Sequence, residues 1–412
     1  MKIWIFNNYN ELPSQGGLNR HYFFARQLQK LGHEPVVFVG SQPHNTHLQM
    51  IEGKESFRLE PSEPFPWVYV KTVNYEGSKL KRVFSMFQYY HHAKKAALAL
   101  AKQSGAPDAV LGSSAHPLAA VLAIRLGKRF GCKSIAEVRD LWPESIVAYG
   151  IAGPRNPAVL ALRRLEKWIY EKADDVVFTC EGGYDYIVEQ GWEAKIPRAK
   201  VHYINNGVDL AAFEENRVRY TVQDPDLEDP SVFKVVYVGS IRQVNHLGLL
   251  LDAAKEVTDP RVKFLIWGDG DQRAALEQRV RKEGISNVVF KGKEEKTYIP
   301  GIVSRADINL IHGGDQGKEL FRFGISPNKM FDCFAAGRPI LMDLPAKYNP
   351  VEQFQAGICL SNASEIPAAI RQIQELSPQA YESLCSNARK AAARFDFRVL
   401  TQDLMEILEK RG

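Results

Sequence analysis

Short apolar runs alternate along the whole chain with longer segments whose apolar residues recur at helical spacing. In the first half, helices are predicted near residues 18–31 and 118–129. Buried strands are predicted near residues 2–6, 35–39, 108–111, 134–138 and 173–178. Strands that alternate with helices in this way predict a parallel, doubly wound sheet, which binds ligands beyond the carboxyl ends of its strands.

The same alternation starts again near residue 233. Strands are predicted from 233 towards Gly239 and near 262–267, 288–292, 306–311 and 356–360. The polar stretch 214–231 has the composition of a linker or an exposed loop. A chain of 412 residues suits two α/β domains of about 200 residues each.

The stretch 324–341 combines a loop, a short helix and a buried strand. Ser326 suits the N-cap and Pro327 the first helical position, and Gly337 ends the helix, so it is predicted over 327–336. Its free N–H groups and positive dipole end would suit a phosphate, with Asn328 and Lys329 in the first turn. Asp332 could accept hydrogen bonds from two hydroxyls, so the segment suits a nucleotide; an ordinary capped helix would look the same.

Composition excludes several classes of protein. With 45% hydrophobic and 25% charged residues the chain is typical of a soluble globular protein. The five cysteines show no paired spacing, which argues against disulfides and a structural zinc site. The first apolar run is too short for a signal peptide or a membrane span, so a cytoplasmic protein is expected.

Residues 79–102 are basic and aromatic and contain no acidic residue. They could rest peripherally on an anionic membrane, at the inner face of the plasma membrane. A solvated helix with a normal core face is the alternative. Nucleic acid is not expected as a partner, because the region lacks a recognisable nucleic-acid module.

Residues 329–340 resemble the donor-site segment of retaining GT-B glycosyltransferases of glycosyltransferase family 4, the bacterial polysaccharide and O-antigen type. That segment carries two glutamates separated by seven residues. Asp332 stands at the second position and Gly324 at the first, with Glu319 as a nearby replacement. Residues 205–209 also resemble the family's Pro-Asn-Gly-Val-Asp segment, with Asn205 in place of proline.

The resemblance implies an α/β fold of the GT-B type. Two Rossmann-like domains would face each other across a cleft, and the C-terminal helix would cross back to the first domain. The expected acceptor domain is 1–205, completed by about 391–412, and the expected donor domain is 206–390.

The resemblance also implies roles for individual residues. At the usual positions of the family's diphosphate-binding arginine and lysine stand Ser240 and Asn245, so Arg242 and Lys329 are expected to replace them. The catalytic candidates are Asp140, Arg242 and Lys329. The candidates for the acceptor are His116, Glu137 and Arg139. The donor is expected to contact Gly16, Gly17, Gly239, Gly268, Gly324, Ile325, Ser326, Pro327, Asn328 and Asp332.

The expected function is transfer of a sugar from a UDP-sugar donor to a glycan or lipid-linked acceptor, with retention of the anomeric configuration and without a cofactor. Asp269 and Asp271 form an Asp-x-Asp pattern, which binds a metal in another class of glycosyltransferase. Here both aspartates follow a strand in a glycine-rich turn, and turn formation explains them. No metal is expected. A nucleotide-sugar 2-epimerase and a non-catalytic nucleotide-sugar binding protein are the alternatives.

Overall fold

The computed structural model describes residues 1–43, 46, 48–61, 63–75, 77–114, 116–314 and 317–410, with the side chain of Lys79 left out. The chain forms two compact units. The first contains Met1–Asn205 and Phe397–Gly412, of which residues 411 and 412 lie outside the described part. The second contains Asn206–Asp396.

The first unit is built on an eight-stranded sheet in the order β3-β4-β2-β1-β5-β6-β7-β8. All neighbouring strands are parallel except β3, which runs antiparallel to β4 at the edge. Its strands are β1 Lys2–Phe6, β2 Glu34–Gly40, β3 Phe57–Glu60, β4 Trp67–Val70, β5 Ala109–Ser114, β6 Lys133–Val138, β7 Asp175–Phe178 and β8 Val201–Tyr203. Its helices before the second unit are α1 Arg20–Lys30, α2 Lys79–Ser104, α3 Leu118–Phe130, α4 Glu144–Ala148, α5 Pro157–Lys172 and α6 Gly183–Glu189.

The second unit is built on a six-stranded parallel sheet in the order β11-β10-β9-β12-β13-β14. Its strands are β9 Phe233–Val238, β10 Val262–Trp267, β11 Val288–Gly292, β12 Ile308–Ile311, β13 Ile340–Met342 and β14 Gly357–Cys359. Its helices are α7 Leu210–Arg219, α8 Pro225–Glu228, α9 Leu247–Lys255, α10 Arg273–Glu283, α11 Ile299–Val303, α12 Asn328–Ala336, α13 Pro350–Gln353, α14 Ile366–Gln374 and α15 Pro378–Arg394.

Strand composition explains these sheets. The central strands β1 and β9 are apolar at nearly every position, because both faces of a parallel sheet are covered by helices. Trp4 on β1, for example, is fully buried and packs edge-on against Phe38 and Phe130. The two predicted parallel α/β sheets are therefore confirmed.

The last helix, α16 Phe397–Glu409, belongs to the first unit although it follows the second in sequence. Phe397 stacks on Phe23 of α1 with ring centroids 5.0 Å apart. Lys133 Nζ, at the start of β6, donates to the carbonyl of Lys410 at 2.7 Å. The predicted return of the C-terminal helix to the first domain is confirmed.

The expected linker over 214–231 is wrong in part. Helix α7 continues to Arg219, and α8 is capped by Asp224, whose carboxylate accepts from Asp226 N and Leu227 N. Lys291 Nζ on β11 lies 2.7 Å from Asp224. Charge pairing to the sheet therefore anchors a segment that composition alone marks as a loop.

Candidate active site

Each sheet has a point where its strand order reverses. In the first sheet this switch lies between β1 and β5, and in the second it lies between β9 and β12. Ligands of open α/β sheets bind beyond the carboxyl ends of the strands at such points. The candidate residues gather at these two positions, each within its own unit.

Lys329 lies at the switch point of the second sheet. Its Nζ is 4.3 Å from the ring centroid of Tyr237 on β9. It lies 3.3 Å from the Tyr237 hydroxyl and donates to the carbonyl of His312, just after β12, also at 3.3 Å. The same ammonium stands 3.3 Å from the place where Gly239 would carry a Cβ. The structure therefore brings Lys329 and Gly239 together.

Gly239 and Gly268 lie at the ends of the neighbouring strands β9 and β10. A Cβ on Gly268 would overlap the carbonyl oxygen of Gly239, and the Gly268 φ of 150° is itself a glycine conformation. Gly239 N donates to Trp267 O at 3.0 Å. Close backbone packing is thus sufficient reason for glycine at residue 268, whether or not a ligand binds there.

The helix α12 begins one residue later than expected. Pro327 occupies the N-cap position without a side-chain cap, so the interpretation of Ser326 as the N-cap is wrong. Ser326 Oγ accepts from Asn206 N at 3.2 Å, and its carbonyl accepts from Asn206 Nδ2 at 2.9 Å. The Ser326 hydroxyl is therefore used to fix the segment before the helix, while Asn328 is exposed on the first turn.

Gly324 has φ 100° and ψ 179°, a region that residues with a side chain avoid. Ile325 beside it is buried. A glutamate at residue 324 would therefore be strained in this backbone conformation. Glu319, the nearby candidate, lies exposed in the short 3₁₀ segment Lys318–Phe323.

Asp332 is paired with Lys296, a residue that sequence reasoning missed. Lys296 follows β11 in a 3₁₀ turn, and its side chain is more exposed than that of Asp332. A ribose bound by Asp332 would have to share the carboxylate with this ammonium. The lysine gives no signal in the sequence, since 36 residues separate it from Asp332.

Arg242 is exposed on the loop after β9 and precedes the 3₁₀ turn Gln243–Asn245. Ser240 and Asn245, at the family's cationic positions, bond to each other: Ser240 Oγ donates to Asn245 Oδ1 at 3.0 Å. Asp269 accepts from Gly270 N at 2.9 Å, and Asp271 accepts from Gln272. Both aspartates thus take part in the turn between β10 and α10.

In the first unit, Glu137 lies near the carboxyl end of β6, and hydrogen-bond donors of the chain itself enclose its carboxylate. Arg20 lies 2.9 Å from one carboxylate oxygen. His21 Nε2 at 2.7 Å and Ser113 Oγ at 2.6 Å contact the other. Burial would raise the pKa of Glu137, but the charge of Arg20 and the hydrogen bond from His21 hold it well below its usual range. With both oxygens occupied, Glu137 is not available to contact an acceptor directly, which corrects that expectation.

Sequence reasoning missed Arg20 and His21. Arg20 also donates to the carbonyls of Ile204 and Asn205 after β8. Asn7 Nδ2 lies 3.2 Å from His21 Nδ1 and donates to Ser113 at 3.1 Å. An adjacent Arg-His pair at the start of the first helix was the available signal. The network ties β1, β5, β6 and α1 together.

Asp140 and Arg139 follow β6. Asp140 is exposed as a residue, but desolvation by the surrounding protein raises the pKa of its carboxyl group, while the charges of Arg139 and Arg82 lower it. The Arg139 amide donates to Ser114 Oγ at 3.0 Å. A cavity of about 20 Å³ beside Asp140 and Glu166 is large enough for a single water and excludes a sugar ring.

His116 is completely buried and packs edge-on against Tyr9 and Tyr89. Neither ring nitrogen has a hydrogen-bond partner in the described part of the chain. Burial and the charge of Arg82 lower the pKa of His116 to about 3, so the ring is neutral.

The two adjacent glycines differ in the space around them. A Cβ on Gly16 would overlap the carboxylate of Glu11, whereas a Cβ on Gly17 would have no atom within 4 Å.

Comparison with known proteins covers most of the chain. The family described as Glycosyltransferase Family 4 matches residues 15–212, and the family described as Glycosyl transferases group 1 matches residues 232–376. A relative from Escherichia coli K12, named as the colanic acid biosynthesis glycosyl transferase WcaI, is 22% identical over 351 residues, 82% of each chain.

Solved structures share the whole fold. Sucrose-phosphate synthase from Thermosynechococcus elongatus superposes with a TM-score of 0.70 at 17% identity, over 98% of both chains. Anabaena HepE in complex with UDP superposes with a TM-score of 0.67 at 14% identity, over 99% of both chains. From both matched families and from this fold, the chain is a glycosyltransferase that belongs to family 4 and has the GT-B fold.

Proposed function

We propose that the protein transfers a hexosyl or N-acetylhexosaminyl group from a UDP-sugar to a glycan or lipid-linked acceptor, with retention of configuration. The observation that carries this proposal is the Lys329 ammonium at the switch between β9 and β12, on the same helix as Asp332. Anabaena HepE has been solved with UDP and with UDP-glucose, and WcaI is named for colanic acid biosynthesis. These likenesses favour a UDP-sugar donor and a cell-surface polysaccharide as product.

The proposed donor site gives each residue a task. Lys329 and the exposed Arg242 would offset the diphosphate charge, and the first turn of α12 would present N–H groups to it. Asp332 would accept hydrogen bonds from the ribose hydroxyls. Gly239 and Gly268 allow the ends of β9 and β10 to pack closely beside the Lys329 ammonium.

In the proposed reaction the bond between the anomeric carbon and the phosphate oxygen breaks, and UDP leaves. The acceptor hydroxyl attacks the same face of the sugar, and its proton passes to the departing phosphate oxygen. Asp140 would stabilise positive charge that develops on the sugar, and Arg139 would orient the acceptor. The buried His116 would support this site without touching the acceptor. Since Lys329 and Arg242 supply the positive charge, we propose that neither a metal nor another cofactor takes part.

The deciding experiment measures UDP release from a panel of UDP-sugars and the anomeric configuration of the product by NMR. We expect retention of configuration, and we expect the activity to survive excess chelator. In Asp140→Asn, kcat is expected to fall by a much larger factor than KM changes. An inverted product, or activity restored only by manganese or magnesium, would overturn those parts of the proposal. Epimerised sugar without an acceptor would favour a 2-epimerase, and binding without UDP release a non-catalytic protein.

We also propose that the enzyme rests on an anionic membrane at the inner face of the plasma membrane. The first turns of α2 expose Leu80, Val83, Phe84 and Phe87, to 84%, 51%, 56% and 52%. We call these four residues the α2 apolar stripe. Lys94 and Lys95 are exposed further along the same helix, which carries no acidic residue. Exposed apolar side chains beside basic ones suit insertion among anionic headgroups.

Other aromatic residues of the segment are not available to lipid. Met86, Tyr89 and Tyr90 are buried, and the Tyr89 hydroxyl donates to Phe38 O at 2.7 Å. The expected interfacial surface over residues 79–102 is thus narrowed to the α2 apolar stripe and its basic neighbours. In the described part of the chain, no helix is both long enough and apolar enough to span a bilayer.

A further inference from the structure

Two buried residues behind Lys329 carry an inference of their own. His312 follows β12 and Asp343 follows β13, and both are almost fully buried. His312 Nδ1 is hydrogen-bonded to Asp343 Oδ2. Its other ring nitrogen, Nε2, lies 3.2 Å from the carbonyl oxygen of His246. A carboxylate and a backbone carbonyl are both acceptors, so both contacts of His312 are satisfied as hydrogen bonds when each ring nitrogen carries a proton.

His21 in the first unit provides an internal contrast. Its Nε2 faces Glu137, an acceptor, but its Nδ1 faces the amide nitrogen of Asn7, a donor. The Asn7 amide is oriented by Tyr9 N, which donates to Asn7 Oδ1 at 2.9 Å. A neutral ring satisfies both contacts of His21, whereas a neutral His312 ring can donate to only one of its two acceptors.

The His312–Asp343 pair connects the segments that carry the candidate diphosphate cations. The carbonyl of His312 accepts from Lys329 Nζ at 3.3 Å. His246 ends the short loop that begins at Arg242. Asp343 Oδ1 accepts from Gly313 N at 3.3 Å, and a Cβ on Gly314 would overlap the ring of His246. The buried pair thus contacts both Lys329, through the His312 carbonyl, and the loop that begins at Arg242, through the His246 carbonyl.

We propose that His312 and Asp343 are a positioning pair for the donor diphosphate, an inference that rests on the proposed function. The pair fixes Lys329 Nζ through the His312 carbonyl and the Arg242 loop through the His246 carbonyl. With both ring nitrogens protonated, the imidazolium balances the Asp343 carboxylate. The pair then places no net negative charge behind a bound diphosphate, where a lone buried carboxylate would repel it.

Calorimetry with UDP and NMR titration with uridine test the proposal, because uridine lacks the diphosphate. In Asp343→Asn and His312→Gln, UDP affinity is expected to fall about tenfold while uridine affinity stays unchanged. Asp307→Asn is the matched control. Asp307 lies at the amino end of β12, opposite the carboxyl end that His312 follows, and accepts from Lys234 N at 2.8 Å, so both affinities should be retained.

The outcomes separate this inference from the function on which it rests. If wild-type protein fails to bind UDP, the proposed donor site is wrong. If wild type binds UDP and both variants bind it equally well, or lose UDP and uridine alike, the positioning pair is overturned. Ring ¹⁵N spectra of the wild type, assigned with His312→Gln, should show a proton on both nitrogens of His312. A single protonated nitrogen would overturn the charge balance even if a variant fails to fold.

Discussion

Arg20 Nη2 lies 2.9 Å from Glu137 Oε1, and both side chains are buried. The pair joins the first turn of α1 to the carboxyl end of β6, two elements separated by 117 residues in sequence. Desolvation of two charges is costly, and here further bonds from His21 and Ser113 offset that cost. The first domain therefore depends on the complete set of partners around this carboxylate.

Removing the carboxylate should destabilise the first domain. Glu137→Ala leaves the Arg20 guanidinium buried with one partner fewer, so we expect a loss of about 3–5 kcal/mol in the free energy of unfolding. Urea denaturation measures it. Glu34→Ala is the control, since the Glu34 side chain is 75% exposed and its loss should cost less than about 0.5 kcal/mol. Similar losses in both variants would contradict the structural role given to Glu137.

Gly268→Ala should destabilise the second domain, because its Cβ would overlap the carbonyl of Gly239 and force the ends of β9 and β10 apart. Backbone strain and the displacement of the strands together predict a loss of more than about 2 kcal/mol in the free energy of unfolding. Gly284→Ala is matched: φ is also positive, at 65°, but the added Cβ meets no atom. Calorimetric unfolding that shows no larger loss for Gly268→Ala would refute this account of the two strands.

Asp332→Ala should weaken UDP binding by about 1–3 kcal/mol, since two hydroxyl bonds to a charged acceptor are lost. Alanine suits the helix, so the fold should persist. Lys296→Met removes the ammonium that occupies the same carboxylate and should not weaken binding. Titration calorimetry measures both variants. Unchanged UDP affinity in folded Asp332→Ala would show that Asp332 does not bind the ribose.

Glu166 should make stability depend on pH. Burial raises the pKa of Glu166 to about 8, although the hydroxyls of Tyr186 and Tyr170 donate to it. The folded protein thus retains a proton that the unfolded chain releases near pH 4.5. This contribution is complete below pH 4.5 and is lost as pH rises towards 8, by up to about 1.4 kcal/mol per pH unit.

Thermal unfolding between pH 5 and pH 9 checks this, with Glu166→Gln as the comparison. The neutral amide cannot release a proton, so the variant should gain on the wild type as pH rises. Parallel pH profiles would show that Glu166 is ionised in the folded protein.

Charge reversal at Lys94 and Lys95 should reduce sedimentation with phosphatidylglycerol vesicles at least about tenfold, because each basic residue near the surface contributes about 1 kcal/mol. The double variant Phe84→Ser with Phe87→Ser should also reduce sedimentation with the vesicles, because it removes two aromatic rings of the α2 apolar stripe. The control reverses the exposed Arg281 and Lys282 of α10, which should leave binding intact. Equal binding by all variants would return α2 to an ordinary solvated helix.

Local pattern was enough to predict both sheets, because a parallel strand buried on both faces must be apolar throughout and its crossover helix must be amphipathic. The run from Lys329 to Ile340 pointed to family 4 for a similar reason, since short contiguous segments form the ends of strands and the first turns of helices. The stop at Gly337 also follows from local conformation, with φ 63°.

Only the tertiary structure brings together residues that are distant in sequence. The enclosure of Glu137 by Arg20 and His21, the pairing of Asp332 with Lys296 and the contact of His312 with Asp343 all join elements that are far apart in sequence. Ser326 likewise bonds to Asn206 rather than to its own helix. Such pairings depend on which strand ends are neighbours in the sheet, and strand order is a property of the folded chain that residue spacing does not encode.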